Sequence, residues 1–209
     1  MPRANSTRMA AGGWRAATAP PTSLASLPGL LGHGEGVARL NTPTRLPSPL
    51  GGERAVSVTA GAVHSLALTA GGSVWSWGPG GHELGHGDTQ DQLLPKKVEA
   101  FAGQRVVAVS AGLNHSLAIT ADGAVWSWGY GAYGKLGHGD EQRQLLPKKV
   151  ETLAGQRVVA TSAGGDHNLA STADGDVFTW GQGLKGCLGH GGDLSNQLLP
   201  KKGEAWAQE

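Results

Sequence analysis

A single cysteine, Cys187, stands in a chain of 209 residues. One thiol excludes an intrachain disulfide framework and is what a reducing compartment permits. Charge is sparse as well. Asp, Glu, Lys and Arg make up 16% of the residues and the formal net charge is +1, which makes no electrostatic case for nucleic acid or a membrane surface and leaves the soluble globular class. No apolar run approaches the roughly 18 residues that span a bilayer, and no segment of useful length carries the 3.6-residue period of an amphipathic helix. Acidic residues are missing before Glu35. With Arg3, Arg8, Arg15 and several Ser, Thr and Ala, that gives Met1 to Gly34 the composition of an organellar transit peptide, although a disordered N-terminal tail or a misassigned gene start accounts for the same residues.

Glycine, in contrast, is abundant at 35 residues. No G-X-Y period accompanies it, so the excess reads as turn demand in a repeated β architecture. The repeat itself is explicit. Leu84 to Lys135 and Leu136 to Cys187 align without a gap as two 52-residue copies that agree at 36 positions. A looser copy precedes them from Leu31 to Glu83, and a fourth opens at Leu188 and stops after LLPKK. Units of about 50 residues are too short to bury their own apolar faces, so they stack on neighbours as propeller blades or solenoid turns.

Within Leu84 to Lys135, strands are predicted over Arg105 to Ala111, His115 to Thr120 and Ala124 to Trp128. Asp122-Gly123 supplies the hairpin between the last two, because Gly accepts positive φ. Leu145 to Glu151 of the following copy reads as a fourth strand. Apolar residues occupy both faces: Val125 alternates with Trp126 and Trp128, and Val107 and Val109 with Val106 and Ala108. Sheets covered on both sides by neighbouring sheets carry that pattern. The expected fold is therefore all-β, a partial β-propeller of about three four-stranded antiparallel blades plus a leading strand. The blades are expected near Ala55 to Val98, Gln104 to Val150 and Gln156 to Lys202. The Pro-rich run Leu40 to Leu50 corresponds to the LLPKKVE strand of later copies and suits an edge strand.

Three motifs recur in register: A-G-x-x-H-[SN]-L-A-x-T at Ala60 to Thr69, Ala111 to Thr120 and Ala163 to Thr172; x-G-x-V-[WF]-[ST]-W-G ending at Gly78, Gly129 and Gly181; and L-G-H-G. Together they resemble the regulator of chromosome condensation repeat, over roughly residues 31 to 202. The resemblance implies a seven-bladed propeller, of which this chain supplies three blades and a fraction. The expected organisation is residues 1–30 as a disordered or transit-like segment, 31–202 as propeller repeats (about 31–83, 84–135, 136–187 and a partial 188–202), and 203–209 as a frayed tail. Gly13-Trp14-Arg15 sits where a decayed A-G-x-x-H segment would end, without its His.

The histidines tempt a metal reading. His64, His115 and His167 are equivalent, as are His33, His86, His138 and His190, but equivalent positions on neighbouring blades lie on the order of 10 Å apart, too far to share an ion with ligand bonds near 2 Å. A structural imidazole, bonded to backbone in a blade or turn, is expected instead, and no metal site. Gly129 to Gly134 and Gly181 to Gly186 both fit G-x-G-x-x-G, yet a dinucleotide site needs a helix to open there and L-G-H-G follows. No cofactor is expected. Trp75, Trp77, Trp126, Trp128 and Trp180 are expected to fill the space between blades.

Ser-His-Asp and paired-carboxylate arrangements are not supported, so the expected function is non-enzymatic: an interaction module that presents loops to a protein partner. His86, Asp88, His138 and Asp140 lie in the loops where propellers usually hold partners. Lys96-Lys97 and Lys148-Lys149 could dock an acidic partner, or simply guard an edge strand. The resemblance implies two contexts. The Q-L-L-P-K-K-V-E run looks like the propellers of large HECT-type ubiquitin ligases, which makes a fragment of a larger regulatory or ligase protein, with a ubiquitin-pathway partner, the first expectation. Guanine-nucleotide exchange on a Ran-like small GTPase is the alternative. A photoreceptor branch senses ultraviolet-B through a G-W-R-H-T motif; here the segments read Gly61-Ala-Val-His64, Gly112-Leu-Asn-His115 and Gly164-Gly-Asp-His167, without the Trp-Arg pair. A cytoplasmic or nuclear location is expected, with organellar import as the reading of the N-terminal composition. Two blade faces are expected to lack a neighbour, which implies a longer parent, self-association toward a closed ring, or a chain that folds only marginally alone.

Overall fold

The computed structural model describes residues 29–37, 40–47 and 50–203. Twelve strands form three four-stranded sheets, each antiparallel and in simple sequential order. Blade one comprises β1 (Ala55–Ala60), β2 (Ser65–Thr69), β3 (Val74–Gly78) and β4 (Gln92–Lys97). Blade two comprises β5 (Val106–Ala111), β6 (His115–Thr120), β7 (Val125–Gly129) and β8 (Gln144–Lys149). Blade three comprises β9 (Val158–Ala163), β10 (His167–Thr172), β11 (Val177–Gly181) and β12 (Gln197–Lys202). The partial propeller expected from the sequence is the fold observed, and it does not close.

The β6–β7 hairpin turns where the Asp122-Gly123 signal placed it. Gly123 has φ of +83°, its N–H donates to Thr120 O at 2.8 Å, and Thr120 N–H donates to Ala124 O at 3.0 Å. A Cβ at Gly123 would also lie 3.0 Å from Arg157 Cα, so the same glycine serves the turn and the approach of the next blade. That approach is hydrogen-bonded: Val158 N–H donates to Gly123 O and Val106 N–H to Gly72 O, both at 3.2 Å. The first and third strands shift by one residue, to Val106–Ala111 and Val125–Gly129, and the fourth shifts more. It ends at Lys149, because Val150 turns into a short 3-10 turn over Glu151–Leu153 that buries Leu153.

Alternation along the middle strands divides the core into layers. Leu66, Leu68 and Val74 point from blade one toward blade two, where they meet Phe101, Val106, Ala118 and Trp128. Leu117, Ile119 and Val125 point from blade two toward blade three, against Val158, Ala170 and Trp180. All six residues of β6 are buried, as a sheet covered on both faces requires. In β10 the outward Leu169 is 37% exposed, because blade three has nothing packed on its far side among the described residues. Of the five tryptophans expected between blades, Trp77, Trp128 and Trp180 are buried, whereas Trp75 and Trp126 are half-buried toward the outer strand.

Ahead of β1 the leading element is a strap laid on blade one. Gly34 N–H donates to Leu93 O of β4 at 2.9 Å, and Leu46 and Leu50 pack with Ala67, Trp75 and Trp77. The run 40–50, expected as an edge strand, is irregular in its described residues. Later copies of that run pair with a VWSWG-type strand of their own blade, a partner the described residues of this run do not have. The transit-like reading of residues 1–28, the Gly13-Trp14-Arg15 remnant and the tail beyond Gly203 lie outside the described residues.

Candidate functional site

The histidines of the A-G-x-x-H motif form the joints between blades. His64 Nε2 lies 2.9 Å from Ser116 Oγ of the next blade, and Ser116 Oγ donates to the Glu83 carbonyl at 2.9 Å. With its only proton used there, the hydroxyl accepts from His64 Nε2–H. Trp128 Nε1 donates to the same Glu83 carbonyl at 2.7 Å. One joint on, His115 Nε2 lies 2.6 Å from Asn168 Oδ1, and Asn168 Nδ2 and Trp180 Nε1 both donate to the Lys135 carbonyl, at 2.6 and 2.9 Å. The expectation of an imidazole bonded to backbone is corrected in its partner: the ring reaches a side chain of the following blade, and that side chain reaches the backbone. Burial pushes His64 and His115 down to about 4, helped at His64 by the charge of His115. At neutral pH burial therefore keeps both rings uncharged, with the His64 proton on Nε2. The motif's glycine follows from the ring, since a Cβ at Gly112 would sit 2.2 Å from His115 Cε1.

The L-G-H-G histidines do different work. His86 Nε2 meets Ser76 Oγ at 2.9 Å while Ser76 Oγ donates to Leu84 O at 2.7 Å. His138, Ser127 and Leu136 repeat the arrangement at 3.0 and 2.6 Å, and His190, Thr179 and Leu188 at 3.0 and 2.8 Å. The [ST] position of the tryptophan motif is thus a clamp on the turn. Once clamped, the turn lays its first glycine on an indole of the next blade: a Cβ at Gly85 would meet Trp128 Nε1 at 2.9 Å, and one at Gly137 would meet Trp180 Nε1 at 3.1 Å. Ser76, Ser116, Ser127, Asn168 and Thr179 were not singled out in the sequence. The available signal was that two variable motif positions admit only hydroxyl or amide side chains.

One joint carries a charge pair. Lys135, 1% exposed, donates to Asp166 Oδ1 at 2.6 Å, with the Tyr130 ring 5.2 Å from its Nζ. The glycine-rich runs after β7 and β11 form three-residue 3-10 turns, Ala132–Gly134 and Leu184–Gly186, in which Tyr133 and Lys185 have φ of 62° and 60°. Among the described residues no group of three or more His, Cys, Asp or Glu is arranged to hold a metal ion.

The residues proposed for partner contact divide in two. Lys96 and Asp88 are near enough to act on the charge of His86, as Lys148 and Asp140 do on His138; burial first, then the lysine, holds both imidazoles at about 4. Lys97 acts instead on Glu53, and Lys149 on Asp122, toward the hairpin end of the blade. Asp88 Oδ1 and Asp140 Oδ1 accept from Gln90 and Gln142 N–H at 3.0 and 2.9 Å. The structure gathers His86, Asp88 and Lys96, and His138, Asp140 and Lys148, into two equivalent clusters and leaves Lys97 and Lys149 elsewhere. In the same loop as His138 and Asp140, Tyr130 and Tyr133 are 44% and 40% exposed, and Arg143 Nη1 lies 3.1 Å from His82 Nε2 across two loops.

The profile of the regulator of chromosome condensation (RCC1) repeat matches residues 71–119, 122–171 and 174–205, and a second profile of that repeat matches 55–82, 106–135 and 158–187. The chain belongs to the RCC1 repeat family. The second set of limits opens each RCC1 unit at the first strand of a blade, β1, β5 and β9. Among RCC1 relatives, the ultraviolet-B receptor UVR8 of Arabidopsis thaliana is 40% identical over 178 residues, covering 85% of this chain and 40% of the receptor. The human E3 ubiquitin-protein ligase HERC2 is 44% identical over 168 residues, covering 79% of this chain and 3% of the ligase. The crystal structure of human WBSCR16 superposes with a TM-score of 0.63 at 28% identity, over 72% of this chain and 38% of that one. The chain therefore spans less than half the length of each.

Proposed function

We propose that this chain is a non-enzymatic protein-interaction module whose long loops between third and fourth strands carry the contact surface, within the setting of a ubiquitin-ligase-associated protein. The observation that carries the reading is how the side chains are allocated. His64, His86, His115, His138 and His190 are held in joints and turns, and the buried indoles fill the layers. Exposed in the loop that carries Asp140 is a pair of tyrosines, Tyr130 and Tyr133, the second fixed at φ of 62°. Tyrosine on a rigid loop contributes large contact area at small entropy cost and is enriched among binding hot spots. His86 and His138 set the loop; Asp88, Asp140, Lys96 and Lys148 ring it. Lys97 and Lys149 belong to a second, lesser surface.

The ligase setting draws on the likeness to HERC2, and a cytoplasmic or nuclear location goes with it. The test is binding of the purified chain to immobilised ubiquitin and a panel of ubiquitin-conjugating enzymes. Binding that Tyr130→Ser with Tyr133→Gly reduces at least tenfold, with unchanged circular dichroism, supports the reading. Accelerated release of labelled GDP from a Ran-like GTPase, without binding in the panel, replaces it with the exchange-factor alternative.

A further inference from the structure

Two joints within the chain are built from the same parts, and the two outer faces of the molecule carry the parts of a third. A joint takes from the leading blade a histidine, the carbonyl before L-G-H-G, and a leucine-bearing face. From the following blade it takes a Ser or Asn, an indole N–H and a valine or alanine. Blade three presents the first set. The His167 imidazole and the Cys187 carbonyl have no hydrogen-bond partner among the described residues, a side chain at Gly189 would meet nothing within 4 Å, and Leu169 is 37% exposed where Leu66 and Leu117 are at 0%. A cavity lined by Ala160, Leu169, Ser171 and Val177 lies open there.

Blade one presents the second set. Ser65 and Trp77 stand in register with Ser116 and Trp128, yet Ser65 Oγ and Trp77 Nε1 bond to no described residue. Val58 is 71% exposed, while its counterpart Val109 packs against the layer containing Leu66. The charge pattern agrees. Where the second joint pairs Lys135 with Asp166, the third would set Cys187 against Val63, so no buried charge is left without a counterion.

We infer that a second copy of this chain docks head-to-tail, its blade one on blade three of the first, with Ser65 and Trp77 of one copy donating to the Cys187 carbonyl of the other. The strap competes for the same place. Gly32 lies on Trp77, where a Cβ would be 2.8 Å from the ring, as Gly189 of the incoming copy would, so docking displaces residues 29–37. The contact is heterologous, with different surfaces on the two partners.

Sedimentation of the full chain tests this. Gly32→Ala, which adds a Cβ against the indole at a φ of +67°, loosens the strap and shifts the mass from one chain, 21.3 kDa, to at least two; the wild type shifts at higher concentration. In that background Leu169→Asp and Val58→Asp, both at exposed positions that leave the monomer intact, each return the mass to one chain. Mixing them restores a two-chain species, because one intact joint survives. A Gly32→Ala chain that stays single at every concentration overturns the inference, as does association that Val58→Asp leaves untouched, or a mixture of the two variants that stays single.

Discussion

Neutral imidazoles buried at the joints make the molecule sensitive to mild acid. His64, His86, His115 and His138 are held at about 4, against 6.5 for a free imidazole, so the unfolded chain binds protons first as pH falls. Stability is full above about pH 6.5 and is lost between 6.5 and 4, at a slope of roughly 1.4 kcal/mol per pH unit for each group. Urea midpoints should fall steeply from pH 7 to pH 4.5, and His115→Gln should flatten the slope while lowering the midpoint at pH 7. A midpoint independent of pH would show these rings to be solvated. Gly112→Ala forces a Cβ onto His115 and, 2.6 Å away, onto the Gly164 carbonyl; overpacking of that kind costs about 1–3 kcal/mol, measurable by the same titration. The A-G-x-x-H spacing was visible as a pattern, but its reason was not. The partner of His64 stands 52 residues away in sequence, and no local rule joins His64 to Ser116.

The elements meet through contacts of unequal exposure, and substitutions should reveal it. Asp166→Asn leaves Lys135 buried without a counter-charge, a loss of about 3 kcal/mol, whereas Lys135→Met leaves Asp166, whose side chain is 31% exposed, for water to solvate and costs about 1 kcal/mol. Paired denaturation curves would separate them; equal losses would mean that the Lys135 ammonium reaches solvent. Trp128→Phe removes the bond to Glu83 O and part of the layer between blades one and two, where Phe101 packs edge-on at 5.8 Å, and should cost on the order of 2 kcal/mol. Strand positions were legible because Val106 to Ala111 and His115 to Thr120 alternate within glycine-bounded runs. The 3-10 turns were not, since Glu99–Phe101 and Glu151–Leu153 are too short to show a period. The run around Pro43 misled as well. It keeps the Leu and Pro of the later fourth strands, yet its described residues form no strand.

Across the whole molecule, protection should follow coverage. Blade two is flanked on both sides, so amide exchange should be slowest in β6 and faster in β10, whose outward face is open; similar rates would mean that blade three is covered in solution. The repeat period and the tryptophan motif gave the blade number and order. The division of histidines into two tasks, and the separation of Lys97 from Lys96, needed coordinates, because both depend on which face of a strand a side chain leaves.

The placement of the Glu83 carbonyl bears on how the chain is made. It sits on a loop of blade one, but its donors, Ser116 and Trp128, belong to blade two, and Lys135 waits in the same way for Asn168 and Trp180. Synthesis runs from the amino end, so every unit leaves the ribosome before the residues that finish it, and the nascent polypeptide always trails one unmet acceptor and one bare sheet face. A stalled chain released after Lys97 should be cut by protease within its loop at 79–91, and one released after Lys149 should resist there.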